Sequence, residues 1–267
     1  MADHVAFVTG ASRGIGSEMA RSLARSGYDV ALFSRNGELL GKLALEITSI
    51  GRRALVLPGD VRMLDDLRKA VEKCEAELGA VDLVVAAAGV LYDNPIESFD
   101  PIRSREIYEV NMIGMMQTIA SVLPSMLKRR KGTVVGISSL ASYIELPRIY
   151  CYSASKAAVR FYLEGLREDV APYGIRVFSV FPGFVRTDIL ENVPGIKDPR
   201  FPFRILSPGE AVGIIRKKMN KGVENIRFPL YMYFLIKLSY LYPKSLALWI
   251  TGLFGYPPRG SGKDMKK

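Results

Sequence analysis

The sequence predicts an α/β domain: a doubly wound parallel sheet of about seven strands with helices on both faces. Two observations predict it. Short apolar runs, several of them nearly continuous, alternate along the chain with longer amphipathic stretches, as expected for parallel strands that are covered on both faces. No repeat, low-complexity stretch or linker interrupts this alternation. Residues 1–227 are therefore predicted to form the domain, and the strongly apolar residues 228–267 a helical C-terminal extension.

The individual elements follow from apolar periodicity and from the residues that bound each run. The predicted strands are Val5–Thr9, Val30–Ser34, Ala54–Pro58, Leu83–Ala87, Thr133–Ile137, Arg176–Phe181 and Asn225–Phe228. The predicted helices are Ile15–Ser26, Leu39–Ser49, Leu64–Leu78, Ile102–Lys128, Ser153–Ala171 and Gly209–Lys221. Strands that alternate with helices in this way join by right-handed crossovers into a parallel sheet.

The composition excludes several kinds of site. The only cysteines are Cys74 and Cys151 and the only histidine is His4, which excludes a disulfide framework, a His-based triad and a multi-His zinc site. We expect no metal. The few cysteines and the absence of a signal-peptide pattern at the start favour a reducing, cytoplasmic location.

The chain is basic, with a net charge of +10. This charge fits a simple solvated surface, and it equally fits a surface that attracts acidic partners such as anionic lipid or an acidic carrier protein. The basic residues are scattered and no recognition motif for nucleic acid is present, so nucleic acid is not a predicted partner.

A glycine-rich turn follows the first strand, where Gly10, Gly14 and Gly16 lie between that strand and a helix. Glycines let the backbone turn tightly and approach a ligand closely, and the N–H groups at a helix N-terminus bind a pyrophosphate. The strand–turn–helix context predicts a Rossmann-type dinucleotide site. The loop residues Ser12, Arg13 and Ile15 belong to it.

The second strand ends at Ser34-Arg35-Asn36, without an acidic residue. NAD sites place an acid there, whereas NADP sites use basic residues for the 2′-phosphate. Arg35 and Arg13 are therefore predicted to converge on that phosphate, and the predicted cofactor is NADP(H). Asp60, followed by Val61 after the third strand, is expected to contact the adenine.

Reduction of a carbonyl by hydride transfer requires a proton donor at the oxygen. A tyrosine phenol has an ordinary pKa of about 10, and a neighbouring ammonium lowers it. Tyr152 and Lys156 share one face of a predicted helix, and Ser139, thirteen residues earlier, can orient the same oxygen. Two other Tyr-x-x-x-Lys pairs, at Tyr233 and Tyr240, lack that serine and are interpreted as packing or interfacial residues.

Over roughly residues 5–189 the sequence resembles the short-chain dehydrogenase/reductase family. The resemblance rests on the ordered motifs Thr9-Gly10-x-x-x-Gly14-x-Gly16, Gly59-Asp60-Val61, Asn111, Ile137-Ser138-Ser139, Tyr152-x-x-x-Lys156 and Pro182-Gly183 with Thr187. It implies a ketone–alcohol oxidoreductase with Tyr152 as general acid/base. Lys156 would also bind the nicotinamide ribose, and Asn111 would hold a water in a proton relay. The further cofactor contacts that it implies are Gly89, Pro182, Gly183, Val185 and Thr187.

One departure from the family follows the fourth strand. The family has an Asn-rich turn there, and this chain has Ala86-Ala87-Ala88-Gly89. The glycine keeps room for the backbone beside the cofactor. The missing amides put in doubt the hydrogen bonds that tie this turn to its neighbours.

An apolar substrate wall is expected from residues 184–208 and 228–255, which contain Phe201, Phe203, Tyr231, Tyr233, Phe234, Trp249 and Phe254. Such a wall suits an apolar, lipid-like or 3-oxoacyl substrate. The tail lacks the ending of soluble 3-oxoacyl-carrier-protein reductases and loosely resembles that of membrane-associated 3-ketosphinganine reductases.

Several alternatives stay open. The tail is expected to form amphipathic helices at a membrane surface, or else a lid or dimer interface. A homodimer or homotetramer is expected. The alternative functions are a soluble 3-oxoacyl-carrier-protein-type reductase and a non-catalytic NADP(H)-binding regulator.

Overall fold

A computed structural model describes residues 4–193, 195–196 and 201–241. Its centre is one sheet of seven parallel strands in the order β3-β2-β1-β4-β5-β6-β7. The strands are β1 (His4–Thr9), β2 (Tyr28–Ser34), β3 (Ala54–Pro58), β4 (Val81–Ala86), β5 (Gly132–Ile137), β6 (Ile175–Pro182) and β7 (Asn225–Phe228). All seven predicted strands are confirmed, and their bounds shift by two residues or fewer.

Eight α-helices accompany the strands in the described part of the chain. They are α1 (Gly14–Arg25), α2 (Gly37–Ser49), α3 (Leu64–Glu77), α4 (Pro101–Tyr108), α5 (Gly114–Arg129), α6 (Tyr150–Val170), α7 (Pro208–Asn220) and α8 (Leu230–Ser239). The long helix that the sequence predicts over 102–128 is divided by a π-turn at Glu109–Ile113. Apolar periodicity does not detect such a turn, because the helical path continues through it.

Both faces of the sheet are covered, which confirms the doubly wound prediction. Helices α1, α2 and α7 pack on one face through side chains such as Leu23, Leu40 and Ile215. Helices α3, α5 and α6 pack on the other through residues such as Ile119 and Leu163. The strands are buried on both sides, which explains why their sequences are continuously apolar.

The strand order reverses between β1 and β4. The chain proceeds from β1 toward β3 in one direction and from β4 toward β7 in the other. The loops that follow β1 and β4 therefore diverge and leave a crevice at the carboxyl ends of these strands. In open α/β sheets this is where ligands bind.

One helical run, Pro101–Arg129, is long and apolar enough to cross a membrane by length and composition alone. Its side chains Ile119, Val122 and Met126 are fully buried against the sheet, which places the second half of the run in the core. Helix α8 is shorter and also apolar. It follows β7 and packs Met232 and Ile236 into a third apolar cluster beside the crevice.

Candidate active site

The crevice holds a cavity of about 780 Å³, a volume typical of a small-molecule or cofactor site. Every predicted cofactor-binding residue lines it, and so do Ser139, Tyr152 and Lys156. Asn111 is the one predicted site residue that lies behind the wall, fully buried. The structure thus brings together residues that are up to 177 positions apart in the sequence, from Gly10 to Thr187.

The glycine loop fits a pyrophosphate. Gly10 and Gly14 have φ angles of +67° and +60°, a conformation that favours glycine. A Cβ atom at Gly10 would lie 2.6 Å from the backbone nitrogen of Ala88, and one at Gly16 would lie 2.2 Å from the oxygen of Gly10. No side chain caps the N-terminus of α1, so its N–H groups are available to an anion.

The two arginines predicted to share the 2′-phosphate have separate partners in the structure. Arg13 forms an ion pair with Asp188, and the guanidinium of Arg35 lies 3.7 Å from the carboxylate of Glu106. Both arginine side chains are more than half exposed, so these ion pairs contribute little to stability and exchange easily for a phosphate. Nothing in the sequence connects Arg35 with Glu106, because their contact depends on the tertiary packing of α4.

The carboxylate of Asp60 binds Arg62, a residue that the sequence analysis did not select. The Arg62 guanidinium donates to it at 2.9 and 2.6 Å, and the Arg62 backbone N–H donates at 3.0 Å. Burial alone would raise the pKa of Asp60, but the hydrogen bonds from Arg62 outweigh burial and lower that pKa. The side chain stays ionised and can still accept a bond from an adenine amino group. A basic residue two positions after an aspartate is the signal that would have found Arg62.

Ser139, Tyr152 and Lys156 meet at one end of the cavity. Ser139 follows β5, and the other two side chains lie on successive turns of α6. The hydroxyl of Ser139 donates to the carbonyl of Pro182 at 3.5 Å, and the Lys156 Nζ atom lies 5.8 Å from the centre of the Tyr152 ring. All three residues are at least nine-tenths buried. The predicted catalytic grouping is therefore present in space as well as in sequence.

The electrostatics of this group differ from the sequence expectation. Burial raises the pKa of Tyr152 to about 12, although the nearby hydroxyl of Ser139 opposes the rise. Burial also lowers the pKa of Lys156 to about 8. Lys156 does not stabilise the phenolate in the chain alone; its Nζ atom donates to the carbonyl of Ile137 at 2.9 Å. The phenol is therefore protonated at neutral pH, as a proton donor must be.

Asn111 lies in the π-turn and clamps the loop after β4. Its Oδ1 atom accepts from the N–H of Val90 at 2.8 Å, and its Nδ2 atom donates to the Val90 carbonyl and the Ser155 hydroxyl, both at 3.0 Å. Backbone bonding from Ala87 to Thr9 adds a second tie at 3.3 Å. These bonds hold the Ala86–Gly89 turn in the absence of the family's amides. The water-holding role of Asn111 stays a prediction.

The loop after β6 closes one side of the cavity. The N–H of Gly183 donates to the carbonyl of Phe228 at 2.7 Å, and Val185 pairs with Leu206 in an isolated parallel bridge. A Cβ atom at Gly14 would lie 2.8 Å from the Thr187 methyl group. The glycine loop and the β6–α7 loop therefore touch, and only a glycine allows this approach.

The observed substrate wall differs in part from the predicted one. Tyr231 and Phe234 are 47% and 63% exposed and point away from the cavity, so their assignment to the wall was wrong. In the β6–α7 loop the cavity is lined by Phe184, whereas the predicted Phe201 and Phe203 pack behind it. The remaining apolar lining comes from Leu140, Ile144, Leu146, Ile149, Ile189, Leu190, Val193, Met232 and Ile236. Trp249 and Phe254 lie outside the described residues.

Comparison with known proteins identifies the class. The family model for short chain dehydrogenase matches residues 4–195, so the chain belongs to this family of oxidoreductases. An uncharacterized oxidoreductase of Myxococcus xanthus is 33% identical over 248 residues, which are 92% of this chain and 95% of the relative. The 2,3-dihydro-2,3-dihydroxybenzoate dehydrogenase of Bacillus subtilis is 34% identical over 69% of this chain and 71% of its own.

Two solved structures show the same fold with a cofactor bound. An alcohol dehydrogenase from Thermococcus sibiricus complexed with 5-hydroxy-NADP is 31% identical, with a TM-score of 0.73 over 81% of this chain and 90% of its own. A gluconate 5-dehydrogenase from Burkholderia cenocepacia in complex with NADP and tartrate is 30% identical, with a TM-score of 0.73 over 80% of this chain and 86% of its own. The fold and the family are those of nicotinamide-dependent enzymes.

Proposed function

We propose that this chain is an NADPH-dependent oxidoreductase that interconverts a ketone and a secondary alcohol. The observation that carries the proposal is the grouping of Ser139, Tyr152 and Lys156 at one end of a cavity whose other end is the glycine loop. When bound, the nicotinamide supplies or accepts the hydride. The side chains of this protein supply the proton and the orientation.

Tyr152 is proposed as the general acid/base. Its phenol, protonated because burial raises its pKa, donates to the carbonyl oxygen of the ketone, and Ser139 orients the same oxygen by a hydrogen bond. Lys156 lies beside the phenol and is positioned to hold the ribose. Asn111 is proposed to act behind Lys156 in returning the proton from solvent.

NADP(H) is proposed over NAD(H) because no carboxylate ends β2. Arg35 projects there with more than half of its side chain exposed, and Arg13 lies across the same cavity. Each arginine side chain is more than half exposed and can leave its carboxylate partner for a 2′-phosphate. The NADP complexes of the two structural relatives agree with this choice.

The substrate is proposed to be apolar, because leucine, isoleucine, valine and methionine side chains make most of the wall next to Tyr152. A 3-oxoacyl or other lipid-like ketone fits such a wall. A soluble 3-oxoacyl-carrier-protein-type reductase is the second candidate, favoured by the net charge of +10 that would attract an acidic carrier. A non-catalytic regulator is disfavoured, since pure binding gives no reason to bury an ammonium.

A homo-oligomer and a peripheral contact with a membrane belong to the proposal as well. Helix α6 and the π-turn before α5 expose Phe161 and Ile113, which supports contact between copies of the chain. The outer face of α8 is apolar and exposed, which supports the contact with lipid. We propose a cytoplasmic enzyme that binds a membrane surface reversibly.

The catalytic assignment is tested by NADPH oxidation with a panel of ketones, using wild type and Tyr152→Phe. We expect turnover in the wild type and a loss of at least about a hundredfold in the variant, the usual scale for a general acid. Cofactor binding, followed by fluorescence, should be retained in the variant. An active Tyr152→Phe enzyme would refute the assignment.

The cofactor preference is tested by Arg35→Asp. The variant should move the ratio of kcat/KM values from NADPH toward NADH, because the new carboxylate repels a 2′-phosphate and accepts a bond from a 2′-hydroxyl. The matched control is Arg68→Asp on α3, which changes the same charge away from the cavity. Arg53→Asp is unsuitable as a control because Arg53 binds the buried Asp29. An unchanged ratio in Arg35→Asp would contradict the 2′-phosphate contact.

A further inference from the structure

Helix α8 has two apolar faces. One face, which includes Met232 and Ile236, lines the substrate cavity. The opposite face is solvent-exposed, and its members lie at helical spacing: Leu230, Tyr231, Phe234, Leu235 and Leu238. In the described part of the chain nothing covers this second face. A helix that is apolar all round is normally buried on all sides, so the outer face needs a partner.

A cluster of cations borders the same helix around the ring of Tyr143. The guanidinium carbons of Arg160 and Arg227 lie 4.5 and 5.7 Å from the ring centre, and the Nζ atom of Lys237 lies 5.5 Å from it. Lys218 donates to the carbonyl of Arg227 at 2.8 Å. We call Arg160, Lys218, Arg227 and Lys237 the cationic cluster.

Within the described part of the chain, the cationic cluster has no carboxylate ion-pair partner. Among the described residues, none of its four members forms an ion pair within 4 Å with Asp or Glu, although most other arginines of the chain do. Burial and the charge of Arg227 together lower the pKa of Lys218, as expected where cations meet without an anion. Burial raises the pKa of Tyr240, and the charges of Glu145 and Arg160 act on it in opposite directions, so Glu145 lies near one edge of the cluster without forming an ion pair with it. The cluster therefore offers a place for an external anion.

The charge of the C-terminal region points in the same direction. Half of the net charge of +10 belongs to residues 228–267, in which Asp264 is the only acid. The basic residues there are Lys237, Lys244, Arg259, Lys263, Lys266 and Lys267. An exposed apolar helix face beside clustered cations is the pattern of an element that lies in the interface of an anionic bilayer.

We propose that the outer face of α8 docks on an anionic phospholipid surface and that the cationic cluster binds the phosphate groups of its lipids. The consequence of this docking for the reaction rests on the proposed function. Helix α8 would separate the bilayer from the substrate cavity by the thickness of a single helix. An apolar ketone dissolved in the bilayer could then reach Tyr152 along the edge of α8 without crossing water.

The test is sedimentation of the full-length protein with sucrose-loaded vesicles. Phosphatidylcholine vesicles with phosphatidylglycerol should bind the wild type, and vesicles of phosphatidylcholine alone should bind it far less. Because each basic residue near an anionic surface strengthens binding about fivefold, Lys237→Gln should weaken binding about fivefold and Lys237→Glu about twenty-five-fold. Lys69→Gln, an exposed lysine on α3, is the matched control and should have little effect.

Phe234→Ser tests the apolar half of the surface. Its side chain is 63% exposed, so the variant should fold, keep its turnover of a water-soluble ketone and lose vesicle binding severalfold. If Phe234→Ser loses vesicle binding while Lys237→Gln and Lys237→Glu bind vesicles as wild type does, the lipid-phosphate site is refuted. Equal binding to both vesicle types, or to neither, would overturn the docking surface.

Two further outcomes are distinct. If ultracentrifugation shows a dimer that Phe234→Ser dissociates, and vesicles do not bind, the outer face of α8 is an interface between two copies and the proposal is wrong. If vesicles bind as expected but no ketone is reduced, the docking surface stands and the proposed oxidoreductase activity fails. Turnover of the soluble ketone by every variant shows that the fold is intact.

Discussion

The burial of the Lys156 ammonium predicts how the free energy of unfolding depends on pH. The residue is 3% exposed and burial lowers its pKa from 10.5 to about 8. A tenfold difference in proton affinity corresponds to about 1.4 kcal/mol. Keeping Lys156 charged at neutral pH therefore costs the folded chain about 3 kcal/mol by this linkage. Replacement by methionine removes that cost.

The sign of the pH dependence follows from the two pKa values. Between pH 8 and pH 10.5 the unfolded chain holds this proton and the folded chain has lost it, so wild type gains stability as the pH rises. Lys156→Met has no such gain. The free energy of unfolding of the variant, relative to wild type, should therefore fall by about 2 kcal/mol between about pH 7 and about pH 10.

The lost hydrogen bond from Nζ to the carbonyl of Ile137 costs the variant about 1–3 kcal/mol at every pH. That cost changes the difference in the free energy of unfolding between the two proteins by the same amount at every pH, so it does not change the slope of this difference against pH. The assay is urea unfolding of cofactor-free wild type and Lys156→Met across this pH range, with the exposed Lys69→Met as control. A difference that stays constant with pH would refute the account of Lys156 as a buried charge.

Three further substitutions probe the cavity. Gly10→Ala places a Cβ atom 2.6 Å from the Ala88 nitrogen at a φ of +67°. The substitution should lower the free energy of unfolding, measured in urea, by about 2–4 kcal/mol. A variant that binds NADPH more strongly than wild type would contradict the close approach. Asn111→Ala leaves the N–H and the carbonyl of Val90 without their side-chain partners, so it should cost about 2–4 kcal/mol; a neutral result would mean that the clamp is dispensable. Ile236→Trp should raise KM for bulky ketones roughly tenfold or more by filling the wall, and equal effects on small ketones would show that α8 does not form it.

Much of the fold is predictable because it depends on local patterns. The seven strands are nearly continuous apolar runs, and burial on both faces of a parallel sheet leaves few other residue types possible. The π-turn at Glu109–Ile113 is different. It changes neither the apolar period nor the composition of the helix. Its effect is to place Asn111 within hydrogen-bonding distance of Val90 and Ser155.

The candidate site divides along the same line. Gly10, Ser139, Tyr152 and Lys156 are predictable because each chemical role restricts the residue type and its position after a strand. The partner of Arg35 was not predictable, because Glu106 approaches it from a helix that is remote in sequence. That Met232 and Ile236, and none of the aromatic residues of α8, line the cavity was also not predictable, because both faces of that helix are apolar and its rotation is set by packing.

The hydrogen bonds of Asn111 join the two halves of the site into one unit. Its amide clamps Val90 beside the Ala86–Gly89 turn and donates to Ser155, whose hydroxyl donates to the backbone carbonyl of Tyr152 at 2.7 Å. The turn at the proposed dinucleotide site and the helix that carries the phenol are thus positioned by the same buried side chain. Breaking any of these hydrogen bonds leaves a buried polar group without a partner, which costs the free energy of its desolvation. A displacement of the Val90 loop or of α6 therefore disturbs the other as well. Loss of Asn111 should therefore raise KM for NADPH and lower kcat together, whereas a residue that only held a water would lower kcat alone.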